Sequence, residues 1–198
     1  MIVLWFLIAF LVGSFMFSYW LGRLANVNLR RIGDGNPGGA NLWSAAGYPY
    51  GLAGIALDFL KGYLAVLLIQ QTTNANGLKL ILIALAPILG HCFSPFLNWK
   101  GGKGIAVTFG VWSALTNFSA SLAYAVILAL LWLLFRWVHR GRPMTSEVNA
   151  LQVVLGMLLL AVFLFNRSYE AAILWFWGGN LLLLAITHRR ELRNLMTA

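Results

Sequence analysis

Charged residues are scarce in this chain of 198 amino acids: they make up 10% of the sequence, whereas hydrophobic residues make up 61%. Soluble domains carry about 25% charged residues, which keep their surfaces in water. The mean hydropathy is +0.80, so the chain lacks the polar coat that a soluble domain needs. This shortage excludes an ordinary soluble protein and predicts an integral membrane protein.

Cysteine and acidic residues are also few. A single cysteine, Cys92, excludes an internal disulfide and a cysteine-based metal site, and we expect it to be a small buried apolar residue. Lysine and arginine outnumber acidic residues 14 to 5, which gives a net charge of +9. The basic residues lie between apolar runs, as membrane orientation requires, so we predict a membrane lipid surface as the partner and no nucleic acid.

Long apolar runs are what the sequence has in abundance. A transmembrane helix needs about 20 mostly apolar residues, and the first run lacks the basic start and the cleavage site of a signal peptide. We predict an all-α polytopic membrane protein that forms a single domain over residues 1–198. The seven predicted spans are residues 2–21, 50–70, 78–97, 105–115, 120–137, 148–165 and 171–187, of which 105–115 is too short to cross alone.

Seven spans place the termini on opposite sides of the membrane. In this arrangement the outer side holds only Lys79 and Arg167, and the other 12 of the 14 lysines and arginines share one side. Because cytoplasmic loops carry the excess of positive charge, we predict a cytoplasmic C-terminus and an outside N-terminus. The residues predicted on the cytoplasmic side are Arg23, Arg30, Arg31, Lys61, Lys100, Lys103, Arg136, Arg140, Arg142, Arg189, Arg190 and Arg193.

Three polar segments interrupt the apolar pattern. Residues 33–41 contain four glycines and follow Arg30 and Arg31; glycine permits close backbone approach to a ligand, although a flexible hydrophilic loop is equally compatible. In residues 90–104, the run from Lys100 to Gly104 precedes a predicted helix, whose free amides and dipole favour phosphate. A basic loop that only sets topology is the alternative there.

The third polar segment, residues 187–193, ends the last span. Its arginines are compatible with a positive stop at the membrane surface, but His188 is not explained by that role, since histidine titrates near neutrality and acts as an acid, a base or a donor. Within a span, Asp58 and Lys61 are three residues apart and can pair on one helix face. Such a pair is either a structural ion pair or a wall of the active site.

In this order, the segments resemble the bacterial membrane-bound acyl-phosphate:glycerol-3-phosphate acyltransferase family, PlsY. The resemblance covers nearly the whole chain. It implies a seven-helix enzyme of the bacterial inner membrane with its site at the cytoplasmic surface, which acylates the sn-1 hydroxyl of glycerol 3-phosphate from acyl phosphate without a cofactor or metal. The residues that carry it are Asp58, Lys61, Gly62, Gly90, His91, Phe93, Pro95, Phe96, Leu97, Ala106 and the run Lys100-Gly101-Gly102-Lys103-Gly104.

An acyl phosphate is already activated, so we expect the polar residues to position the substrates and stabilise charge. Lys103 and the amides of Gly101, Gly102 and Gly104 would hold the donor's phosphate. Asn36 and Asn41 would orient the acceptor hydroxyl, and His188 would donate to phosphate or assist proton transfer. The catalytic residues are then His188, Asn36 and Lys103. The further substrate-binding residues would be Arg31, Asp34, Gly35, Asn41, Ser44, Lys100, Gly101, Gly102, Gly104 and Glu191.

Four positions depart from the family pattern. Asp34 stands where the family usually has serine, Ser44 where it has arginine and Glu191 where it has asparagine, and a glutamate near the C-terminus is missing. Two of these changes weaken anion binding, which leaves open a paralogue with a neutral or amine-bearing acceptor, or a non-catalytic partner subunit. A transporter would place its polar residues at the bilayer midplane, whereas most of these motifs are predicted at one membrane face.

Overall fold

A computed structural model describes residues 2–73 and 75–197, in which all regular secondary structure is helical. The ten α-helices are α1 Ile2–Ser14, α2 Phe17–Leu24, α3 Gly39–Ala46, α4 Tyr48–Thr73, α5 Gly77–Cys92, α6 Ile105–Thr116, α7 Ser119–Val138, α8 Ser146–Asn166, α9 Ala171–Thr187 and α10 Arg189–Thr197. Two short 3₁₀ turns, Leu29–Arg31 and Pro95–Leu97, precede α3 and α6. The predicted all-α class is confirmed.

Within the described residues, five segments are long and apolar enough to cross a membrane: Ile2–Leu24, Tyr48–Thr73, Gly77–Leu97, Ser119–Val138 and Ser146–Asn166. A sixth is reached if α9 and α10, bent by 64° at their junction, count as one span. Helix α6 has 12 residues and is about 18 Å long, less than the roughly 30 Å hydrocarbon core. The membrane architecture is confirmed, while the count of seven spans and the orientation of the termini stay predictions.

The first span is broken, contrary to the continuous helix predicted over residues 2–21. Helix α1 ends at Ser14, whose hydroxyl donates to the Phe10 carbonyl at 2.7 Å; such back-bonding bends helices. The break frees two carbonyls that other elements satisfy. The Ser14 carbonyl accepts from Ser94 Oγ at 2.7 Å, and the Phe15 carbonyl accepts from the ammonium of Lys61.

Glycines let two helix pairs approach closely. Gly90 of α5 lies against the Phe10 carbonyl of α1, and Gly110 of α6 lies against the Phe59 carbonyl of α4. A Cβ at either glycine would overlap that carbonyl oxygen. Small residues at such contacts allow the dispersion packing that holds membrane helices together, so these glycines set the positions of α5 and α6.

A buried polar bridge ties α6 to α9. The indole N–H of Trp112 donates to Asn180 Oδ1 at 3.0 Å, and Asn180 Nδ2 donates to Thr108 Oγ1 at 3.1 Å. All three residues are buried. The bridge holds the two helices together, and at their polar ends Thr187 Oγ1 donates to the Lys103 carbonyl at 3.1 Å.

Candidate active site

The first polar loop is organised by two of its own side chains. Asp34 Oδ1 accepts from the Asn36 amide at 3.0 Å and from Asn41 Nδ2 at 2.8 Å. The same Asn41 nitrogen donates to the carbonyls of Ile32 and Asn36, both at 2.9 Å. The N–H groups of Asn41 are thus committed to the loop, and the residue shapes the site. Its predicted role in orienting the acceptor hydroxyl stays a prediction.

The glycines of the second segment pack against the end of α5. The amide of Gly101 donates to the Cys92 carbonyl, and that of Gly102 donates to the His91 carbonyl, each at 3.0 Å. A Cβ at either glycine would overlap α5. These two amides are therefore already paired, which does not support their predicted contact with a phosphate; that role stays a prediction.

Free amides lie slightly further along the chain, at the start of α6. The first hydrogen bond of this helix joins the Thr108 amide to the Gly104 carbonyl at 2.9 Å. Gly104 has a φ of +83° in the left-handed region, where glycine is favoured. The amides that precede Thr108 lack acceptors within the helix, so the amides of residues 105–107, unlike those of Gly101 and Gly102, have no backbone partner in their own helix.

Lys103 joins the three polar segments. Its ammonium contacts Asp34 Oδ2 at 2.6 Å and Glu191 Oε1 at 3.0 Å. Burial by itself would raise the pKa of the Asp34 carboxyl, but hydrogen bonds from Lys103, the Asn36 amide and Asn41 outweigh it and hold this pKa below its usual value. Glu191 is 7% exposed, and its Oε2 is the one fully buried side-chain polar atom of the described chain without a hydrogen-bond partner.

His188 is buried beside this cluster. Its Nδ1 lies 2.8 Å from the Leu184 carbonyl, and since a carbonyl only accepts, Nδ1 carries a proton. The residue is 1% exposed and does not line either cavity described below. Its predicted role as a proton carrier stays a prediction.

Two cavities meet at Lys103 and Asn36. The polar cavity, of about 460 Å³, is lined by five basic side chains and two carboxylates, a net charge of +3. The apolar cavity, of about 270 Å³, is lined by Ile55, Ile105 and Phe109 among others, and also by His91 and Asp58. The charged residues of the polar cavity are Arg30, Lys100, Lys103, Arg189, Arg190, Asp34 and Glu191.

Most of the predicted site residues line one of these cavities. Those at the polar cavity are Asp34, Gly35, Asn36, Lys100, Gly101, Gly102, Lys103 and Glu191, and Gly104 lines the apolar one. Arg31 and Ser44 do not line either cavity. The Ser44 hydroxyl donates to the Ala40 carbonyl within α3 at 3.1 Å. The placement of Arg31 and Ser44 does not support the predicted substrate contacts.

Sequence reasoning missed Arg30, Arg189, Arg190 and His91 as site residues. Arg30, not its neighbour, lines the polar cavity, and its guanidinium donates to the Lys100 carbonyl. Two adjacent arginines give no sequence signal for which of them faces inward, since the turn Leu29–Arg31 decides it. The sequence leaves Asp58 open as an ion-pair member or a wall of the active site. In the structure it pairs with Lys61 at 2.7 Å and also lines the apolar cavity, and its place in the active site stays a prediction.

Residues 3–198 match the sequence profile of the family described as glycerol-3-phosphate acyltransferase. The chain belongs to this family. A glycerol-3-phosphate acyltransferase of Thermotoga maritima is 39% identical over 192 residues, which are 94% of this chain and 93% of that protein. The glycerol-3-phosphate acyltransferase of Aquifex aeolicus is 31% identical, with 96% of this chain and 92% of that protein covered.

Solved structures of the glycerol-3-phosphate acyltransferase family share this fold. The crystal structure of PlsY (YgiH), an integral membrane glycerol 3-phosphate acyltransferase, in its glycerol 3-phosphate form superposes with a TM-score of 0.85 at 29% identity, covering 99% of this chain and 92% of that chain. Its lysophosphatidic acid form gives a TM-score of 0.83 at 28% identity with the same coverage. The resemblance to PlsY is thus confirmed, and family membership makes the chain a membrane acyltransferase.

Proposed function

We propose that this chain transfers a fatty acyl group from an acyl phosphate to the sn-1 hydroxyl of glycerol 3-phosphate, forming lysophosphatidic acid and inorganic phosphate. The observation that carries the proposal is the meeting of a positive polar cavity and an apolar cavity at Lys103 and Asn36. The transfer joins a phosphorylated polar acceptor to an apolar acyl chain, and its two substrates need these two environments side by side.

The apolar cavity suits the donor. The first carbons of the acyl chain would lie against Ile55, Ile105 and Phe109, and the rest of the chain would extend into the lipid between helices. The donor's phosphate would lie between the Lys103 ammonium and the free amides at the start of α6, where the helix dipole also favours an anion. To bind it, the Lys103 ammonium would exchange part of its contact with Asp34 and Glu191 for contact with the phosphate.

The polar cavity suits an anionic acceptor. Arg30, Arg189 and Arg190 line it, and arginine pairs well with phosphate. The Oε2 atom of Glu191 is buried and unpaired; turned towards the polar cavity, it would accept a hydrogen bond from a hydroxyl of glycerol 3-phosphate. Asp34 and Glu191 reduce the positive charge of this cavity but do not reverse it. This balance favours glycerol 3-phosphate over the neutral or amine-bearing acceptors that the sequence departures suggested.

The chemistry needs no protein nucleophile and no cofactor. An acyl phosphate is an activated mixed anhydride, so the acceptor hydroxyl oxygen attacks the acyl carbon, the bond from that carbon to the phosphate oxygen breaks, and the departing phosphate takes the hydroxyl proton. The protein supplies orientation through Asn36 and charge stabilisation through Lys103. The hydrogen bonds that hold Asp34 ionised make it a weak base, which favours the phosphate as the proton acceptor.

The site would face the cytoplasm of a bacterial plasma membrane. Two of the three polar segments carry lysine or arginine, and Arg30 and Arg31 directly precede the other. In the predicted arrangement the basic residues are concentrated on the side that holds these segments. Positive charge accumulates in cytoplasmic loops. Glycerol 3-phosphate, which is charged and water-soluble, would enter the polar cavity from that side, while the acyl phosphate would enter from the lipid.

A substrate panel with the purified protein tests the proposal. Palmitoyl phosphate is offered with glycerol 3-phosphate, glycerol or phosphoethanolamine, and palmitoyl coenzyme A replaces it in a second set. We expect acyl transfer from palmitoyl phosphate to glycerol 3-phosphate in preference to every other pair. Preference for glycerol or phosphoethanolamine would overturn the acceptor, preference for the coenzyme A ester would overturn the donor, and no transfer together with a tightly co-purifying protein would indicate a partner subunit.

A further inference from the structure

A series of buried polar groups leads from α2 to the apolar cavity. Ser18 Oγ donates to Asp58 Oδ2 at 2.6 Å, and Asp58 Oδ1 accepts from the Lys61 ammonium at 2.7 Å. The same ammonium lies 2.9 Å from Nδ1 of His91. All four side chains are buried, and the acyl transfer described above gives them no role.

The contacts of Lys61 determine which nitrogen of His91 carries the proton. An ammonium has three N–H groups and no lone pair, and Lys61 has three partners: Asp58 Oδ1, the Phe15 carbonyl and His91 Nδ1. His91 Nδ1 must therefore accept. A doubly protonated ring would place an N–H against the ammonium, so the ring is neutral and its single proton lies on Nε2.

The protonated nitrogen lies beside Gly102, close to residues that line the two cavities. Nε2 of His91 sits where a side chain on Gly102 would begin, and His91 lines the apolar cavity together with Lys103 and Gly104. None of the hydrogen bonds of the described chain uses this N–H. A donor without a partner at a cavity wall is costly unless a ligand accepts from it.

We propose that His91 is a further catalytic residue: its Nε2–H donates a hydrogen bond to an oxygen of the bound acyl phosphate, with Lys61 and Asp58 as the residues that position it. This inference rests on the proposed function. During transfer, negative charge grows on the acyl carbonyl oxygen and then on the departing phosphate. A fixed N–H donor in a cavity of low dielectric stabilises such charge without reorganising and without giving up its proton.

Nuclear magnetic resonance of the full chain with ¹⁵N-labelled histidine tests the geometry. The His91 signals are assigned by comparison with His91→Gln. We expect Nδ1 to be unprotonated and Nε2 to be protonated in the free protein, and a non-hydrolysable palmitoyl phosphonate to shift the Nε2–H signal. A proton on Nδ1 would overturn the inference.

The addition of palmitoyl phosphonate also separates the failure of this inference from the failure of the proposed function. A phosphonate that binds, as measured by calorimetry, but leaves the Nε2–H signal in place overturns the role of His91 alone. A phosphonate that does not bind overturns the acyl phosphate donor and this inference with it.

Kinetics of two matched variants provide a second test. Glutamine keeps both an acceptor for Lys61 and an N–H donor, whereas leucine has neither, so His91→Gln should retain most of the activity. His91→Leu should lower kcat by about 100-fold while the KM for glycerol 3-phosphate changes by less than about twofold. Equal activity of the two folded variants would overturn the role of His91. If His91→Leu does not fold, the resonance measurement on the wild-type protein decides the question instead.

Discussion

At the scale of single residues, one ammonium group connects all the polar segments. Lys103 lies between Asp34 and Glu191, which come from the first loop and from α10. Although two carboxylates face this ammonium, the lining of the polar cavity retains a net charge of +3. The two carboxylates hold the ammonium at the boundary of the two cavities, where the phosphate of the proposed donor would contact it.

Replacing Lys103 with alanine should lower kcat by at least about 100-fold, because a charged donor aimed at the departing phosphate is lost. The measurement is acyl transfer from palmitoyl phosphate to glycerol 3-phosphate by purified protein. Lys79→Ala, at an exposed position near the start of α5, is the matched control and should leave the rate unchanged. Activity of Lys103→Ala equal to that of the control would remove Lys103 from the mechanism.

A variant of Glu191 tests whether this carboxylate binds a hydroxyl of glycerol 3-phosphate or only repels its phosphate. Suppose that the unpaired Oε2 of Glu191 accepts a hydrogen bond from a hydroxyl of glycerol 3-phosphate. Glu191→Gln should then raise the KM for glycerol 3-phosphate by about tenfold, because an amide NH₂ group, which cannot accept, takes the place of that oxygen. If the carboxylate only repels the acceptor's phosphate, the same variant should lower this KM. Glu170→Gln, in the loop before α9, is the control. Initial rates at varied acceptor concentration decide between the two.

At the scale of helices, close packing through glycine positions the site. Helix α6 carries at its start the amides proposed to bind the donor's phosphate, and it rests on α4 where Gly110 meets the Phe59 carbonyl. Helix α4 in turn carries Asp58 and Lys61. The distance between the proposed phosphate position and the residues that contact His91 therefore depends on this helix contact.

A methyl group at this contact should force α6 away from α4. We expect Gly110→Ala to lower the free energy of unfolding by about 1–3 kcal/mol, the usual cost of overpacking, and to reduce activity as well. Gly178→Ala is the matched control, since nothing lies within 4 Å of a Cβ at that helical glycine. Thermal unfolding in detergent compares the stabilities of the two variants, and the acyl transfer assay compares their activities. A loss no greater than that of the control would contradict the close contact.

At the scale of the whole molecule, the distribution of positive charge predicts the orientation. The loop between α7 and α8 contains Arg140 and Arg142, whereas the loop between α8 and α9 contains only Arg167. The first loop should thus be cytoplasmic and the second outside. With Thr187 and Lys103 in contact, the same orientation places the site on the cytoplasmic side.

Labelling of introduced cysteines in intact cells tests this orientation. The native Cys92 is buried and should not react, so the wild-type chain serves as the background. A membrane-impermeant maleimide should label Glu170→Cys and should leave Pro143→Cys unlabelled until the membrane is opened. Both positions are exposed loop residues. The reverse pattern would place the C-terminus and the site outside.

The sequence by itself determined the class of the protein and part of the composition of its candidate site. The length of an apolar run is set by the thickness of the bilayer, so the long spans were readable, and the polar segments that interrupt them supplied Asn36, Lys103 and Glu191 to the site. The resemblance to the acyltransferase family added the chemistry. Each of these depends on the local sequence alone.

Only the tertiary structure decided which groups are free to act. The amides of Gly101 and Gly102 are paired because the end of α5 supplies their acceptors, and Asn41 is committed to its own loop. The Phe15 carbonyl reaches Lys61 because the first span breaks. The availability of a donor or acceptor depends on neighbours from distant parts of the chain, and the order of residues does not specify those neighbours.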